Sequence, residues 1–137
     1  MDAIKYFKKL LVFYLFAFVI GMIISFYSDS VAVSEFNERM EPEWFNNESA
    51  MIAFFYIFFL ILILHIISLF MLFKLKRNGK RIFVSTLVLL SIAALFTGSY
   101  AFSPFGLLFE YIIYMIDGAL LVFLYFTPVS KKFNNFP

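Results

Sequence analysis

The chain has 137 residues, of which 64% are hydrophobic and 23% aromatic, and its formal net charge is only +2. A soluble domain of this size cannot bury so much apolar surface, so the composition excludes an ordinary water-soluble fold and makes the lipid bilayer the first expected partner. No basic face is present to meet nucleic acid, and zero cysteines exclude disulfides, thiolate metal sites and thiol nucleophiles.

Lys5, Lys8 and Lys9 precede the first apolar run, Leu10 to Phe26, which predicts a helix over 8–27. A cleaved signal peptide ending near Ser30-Val31-Ala32 would need a shorter apolar core and a closer cleavage site, so this run is read as a retained span. The segment 28–49 is acidic: Asp29, Glu35, Glu38, Glu41, Glu43 and Glu48 stand against a single Arg39. Within it, Glu38 to Phe45 fits a short surface helix that sets Trp44 and Phe45 among headgroups and turns its carboxylates to water.

The second run predicts a helix over 50–73, followed by Lys74, Lys76, Arg77, Lys80 and Arg81, with Asn78-Gly79 marking a turn among them. A third helix is expected over 81–102. The fourth, 104–127, has Ser103 as its cap and Pro104 at its first position, and Lys131 and Lys132 follow it. The second run is long enough to cross about 30 Å of hydrocarbon with tilt, the others fit with their flanking Tyr, Ser and Thr residues, and none alternates apolar with polar as a barrel strand must.

Ten of the eleven basic residues fall on one side if the chain crosses four times, Arg39 being the exception. Cationic flanks stay on the cytoplasmic side of a span. The expected fold is therefore an all-α antiparallel bundle of four transmembrane helices. It forms a single domain over 1–137 in a bacterial inner membrane, with both termini cytoplasmic and 28–49 as an external loop.

In lipid, helices associate through small residues four apart and through interhelical hydrogen bonds. Ala17, Gly21 and Ser25 form such a stripe on the first helix, and Ser91, Ala94 and Gly98 on the third. These two helices are the expected interior, while the second helix, nearly all large apolar side chains, is expected to face lipid.

Three ionisable residues lie inside apolar runs: His65, Glu110 and Asp117. An acid at mid-span costs about 2.5–3.5 kcal/mol on insertion scales, so such residues face protein or water and are functional candidates. Glu110, Tyr114 and Asp117 share one helical face, and His65 and Asp117 fall at matching depth, which predicts a buried His65–Asp117 contact with Tyr114 and Ser68 as neighbours. The plainer role is a polar clamp between helices; the sharper one is a proton or cation relay through Glu110, Asp117 and His65. One His with no second ligand at metal-binding spacing gives no metal or cofactor site, and no nucleophile motif or phosphate loop points to an enzyme. The leading functional expectation is a non-enzymatic interaction, accessory or immunity-type membrane protein that binds another membrane protein or itself. A small proton- or cation-coupled transporter is the alternative.

Overall fold

The computed structural model describes residues 3–27, 31–39, 43–96 and 103–133. Of these, 93% are helical and none is in a strand. Six α-helices follow in order: α1 (Ala3–Tyr27), α2 (Val31–Arg39), α3 (Glu48–Phe73), α4 (Arg77–Phe96), α5 (Pro104–Phe126) and α6 (Val129–Lys132), with a 3-10 turn at Glu43–Asn46 before α3. The helices α3, α4 and α5 are each long and apolar enough to cross a membrane. The 25 residues of α1 extend roughly 37 Å at about 1.5 Å per residue, and its sequence is uncharged from Leu10 to Tyr27.

The ends of these helices follow local chemistry. Asn47 caps α3 by accepting from the Ala50 N–H at 3.2 Å, and Ser103 caps α5 by accepting from Gly106 at 3.1 Å with Pro104 behind it, as expected. Helix α1 starts at Ala3 instead of residue 8, because Lys5, Lys8 and Lys9 are good helix formers that carry the helix beyond its apolar run. The acidic segment holds its helix earlier than expected, at Val31–Arg39, and Trp44 lies in the 3-10 turn, its indole N–H donating to the Phe96 carbonyl in the final turn of α4 at 3.1 Å.

The largest departure is at the α3–α4 link. Asn78-Gly79 is not the turn: both residues lie inside α4, which begins at Arg77 instead of 81. The turn is a Schellman cap in which Lys76 N–H bonds Met71 O and Leu75 N–H bonds Leu72 O, with Leu75 itself in the left-handed region at φ 57°. A leucine occupies the position that glycine usually fills, so no glycine marks the stop. Gly79 serves a different need: a Cβ there would stand 2.7 Å from Met71 Cβ and 2.9 Å from Leu72 N, so only a hydrogen lets α4 lie against the α3 backbone. Residues 97–102, including Gly98 and the end of the expected third helix, lie outside the described residues.

The long helices pack antiparallel in two close pairs. In the α1–α5 pair, the Phe7 and Phe123 rings meet at 6.0 Å near one end, while Gly21 faces Phe109 and Ile113 near the other. In the α3–α4 pair, Gly79 lies on Met71 and Leu72, and His65 meets Thr86. Contacts between α1 and α3, also antiparallel, join the pairs: Lys8 sits over the Phe73 ring and Tyr14 bonds His65. The basic residues at the start of α1, in the α3–α4 link and in α6 therefore gather at one end of the bundle.

The expectation that the first and third helices form the interior is thus corrected. Ala17 is buried and Gly21 does bring α1 close to a neighbour, but that neighbour is α5. On α4, Ser91 and Ala94 are exposed, and Ser91 Oγ donates to the Leu87 carbonyl of its own helix. The buried face of α4 is instead Gly79, Phe83, Thr86 and Ala93, rotated from the expected stripe because Gly79 and Thr86 face α3. The side chain of Ser25 lies outside the described ones. Helix α3 is mostly exposed, as expected, with only Ile61, His65, Ser68, Leu69 and Leu72 buried.

One core element is new. Thr127 ends α5 with its hydroxyl bonded to the Phe123 carbonyl, and the chain folds back through α6 so that Val129 and Phe133 are fully buried. The Phe133 ring meets Phe7 edge-on at 5.9 Å and closes the basic end of the bundle.

Candidate functional site

The polar centre of the molecule is His65, 1% exposed, on α3. Its Nε2 lies 2.9 Å from the Tyr14 hydroxyl of α1, and its Nδ1 lies 2.9 Å from Thr86 Oγ1 of α4. Thr86 Oγ1 also donates to the Phe83 carbonyl at 2.9 Å. That bond uses the only hydroxyl proton of Thr86, so Thr86 accepts from Nδ1–H. A neutral ring then accepts from Tyr14 at Nε2, which gives an oriented chain from Tyr14 through His65 and Thr86 to a backbone carbonyl. Phe83 covers the imidazole face at a ring separation of 5.2 Å. In a medium without water each of these groups must find its partner within the protein, and all three do.

Asp117 on α5 completes the ring of helices, but not as expected. Its carboxyl group is a second polar neighbour of the Tyr14 hydroxyl, and among the described residues its Oδ1 is buried without a hydrogen-bond partner. Both ring nitrogens of His65 are engaged by Tyr14 and Thr86, so the direct His65–Asp117 contact is not made and Tyr14 stands between them. Ser68 is fully buried beside His65, yet its hydroxyl donates at 2.6 Å to the His65 carbonyl of its own helix.

Glu110 and Tyr114 form a separate pair. The Tyr114 hydroxyl donates to Glu110 Oε1 at 2.6 Å, and the Tyr114 side chain is 58% exposed on the outer side of α5. Asp117 turns inward because it lies at the edge of the face that carries Ile116, Leu120 and Leu124 into the core, whereas Tyr114 turns away from that face. The expected cluster is therefore split into an inner node and an outer pair.

Tyr14 and Thr86 are the partners of His65 that sequence reasoning missed. The available signal was depth, since Tyr14 lies six residues beyond Lys8 and His65 nine before Lys74. Among the described residues no group of three or more His, Cys, Asp or Glu side chains could hold a metal ion. Comparisons with protein-family models, curated proteins and solved structures gave no match.

Proposed function

We propose that the chain is a four-span protein of a bacterial inner membrane, with both ends in the cytoplasm, that acts without catalysis by binding another membrane protein or a second copy of itself. It would serve as an accessory, regulatory or immunity-type protein. The observation that carries this reading is the outer side of α5. There an exposed Tyr114 and a half-buried Glu110 pair, among the described residues, only with each other, and Gly118, one turn further on, has open space where its Cβ would be. A carboxyl and a phenol turned toward hydrocarbon are costly, while a docked helix would supply partners and the glycine would let its backbone approach. The length and apolarity of α1 and the gathering of basic residues at one end support the fourth crossing and the orientation.

The test places a photo-crosslinking amino acid at Tyr114 and, as a control, at Leu95, an 81% exposed residue of α4. Protein adducts in native membranes at position 114 and only lipid adducts at 95 are expected, with the 114 adduct lost in Gly118→Leu. Lipid adducts alone at both positions would contradict the proposal.

A second reading, a proton-coupled transporter, is favoured by one observation: the unpartnered Asp117 Oδ1 beside the Tyr14–His65 chain. It predicts proton flux into dye-loaded liposomes that disappears in Asp117→Asn and His65→Ala. Equal leak in these variants and the parent protein would exclude it.

A further inference from the structure

We infer that the groove between α1 and α3 is a binding site for an anionic phospholipid, with one acyl chain in the groove and the phosphate at its basic mouth. The two helices meet at Tyr14 and His65, and again nearer the basic end of the bundle where Lys8 lies over the Phe73 ring. They leave a cavity of about 180 Å3 lined only by Leu11, Val12 and Leu15 of α1 and Leu69, Phe70 and Phe73 of α3. No polar side chain enters this space, so it suits hydrocarbon and not water. At Val12 and Phe73 the cavity continues into an open recess whose rim carries Lys5, Lys8 and Lys9, and among the described residues no carboxylate lines that rim. Lys8 is held in place by the Phe73 ring, with its Nζ 4.9 Å from the ring centre.

Three ammonium groups above an apolar slot match the two halves of one molecule, an acidic headgroup and its tail. Lysines at a membrane surface attract anionic lipid, and basic pockets between spanning helices bind such headgroups. The charges select against a neutral lipid, which fills the slot equally well but leaves the lysines without an anion. A partner protein's helix in the groove would have to bring its own acidic flank, and it would show no preference between lipid headgroups.

This site rests on the membrane reading but not on association through α5. The full-length protein in mild detergent is mixed with micelles containing phosphatidylglycerol or phosphatidylcholine, and retained lipid is counted by native mass spectrometry. Retention of phosphatidylglycerol at least about tenfold above phosphatidylcholine is expected. In Lys5→Gln/Lys8→Gln/Lys9→Gln the ratio is expected to fall to within about twofold, with Lys8→Gln alone giving an intermediate ratio should the triple variant fail to fold. The control Lys76→Gln/Arg77→Gln/Arg81→Gln removes as much charge at the same end of the bundle, away from the groove, and should keep the preference. Equal retention of the two lipids by the parent protein, or equal loss in both triple variants, would overturn the site.

Discussion

Gly79→Ala is expected to destabilise the bundle by about 1–3 kcal/mol, more than an added methyl costs at any exposed position. The new Cβ would meet backbone atoms of Met71 and Leu72 at 2.9 Å, and backbone cannot swing aside as a side-chain end does. The helices α3 and α4 would have to separate, which would also stretch the His65–Thr86 bond two turns away. Gly79→Leu should abolish folding. Gly118→Ala is the matched control: nothing lies within 4 Å of the point where its methyl would stand, so it should leave stability unchanged. Reversible unfolding in mixed micelles, followed by helical ellipticity, measures both.

His65→Ala is expected to cost about 2–5 kcal/mol, the range for emptying a buried site of comparable size. The side chain joins α1, α3 and α4 at one point, and its loss takes away the Nε2 acceptor of Tyr14 and the Nδ1 donor of Thr86, leaving Asp117 as the remaining polar neighbour of Tyr14. Thr86→Val removes the bond to Nδ1, and Tyr14→Phe removes the bond to Nε2 together with the Asp117 contact; both keep volume, so each should cost only about 0.6–2 kcal/mol. The double variant Tyr14→Phe/Thr86→Val should fall short of His65→Ala. If Tyr14→Phe alone matched His65→Ala, the node would not be centred on the imidazole.

Much of the helical architecture was legible because a span of hydrocarbon imposes a length of apolar run that a single sequence displays. The apolar runs gave α1, α3 and α5 to within a few residues, and Ser103-Pro104 marked the start of α5. The α3–α4 turn was misplaced because Leu75 takes a left-handed conformation that nothing in its side chain announces. Asn78-Gly79 has the composition of a turn, but its glycine is required by the nearness of α3, a tertiary fact.

The site was legible only in part. His65 stood out because a lone imidazole inside an apolar run must be satisfied by something, but which helix supplies the partner depends on how the helices rotate against one another. The 3.6-residue period places Glu110 and Asp117 on one side of α5 without saying where the edge of the buried face lies. Asp117 falls within that edge and Tyr114 beyond it. Tyr14 was hidden by abundance, one of 8 tyrosines among 22 phenylalanines.

Four crossings with the basic ends in the cytoplasm underlie the proposed association and the lipid site alike, so the side of the bilayer that each loop faces is the quantity to measure. Since the chain has no cysteine, single substitutions Lys5→Cys, Ser34→Cys, Lys76→Cys and Lys131→Cys can each be tested in intact cells with a membrane-impermeant maleimide. Labelling of the Ser34→Cys protein alone, with the other three reacting only after the membrane is opened, is the predicted result. Labelling of Lys5→Cys together with Ser34→Cys would mean that α1 does not cross, and labelling of Lys76→Cys from outside would contradict the orientation.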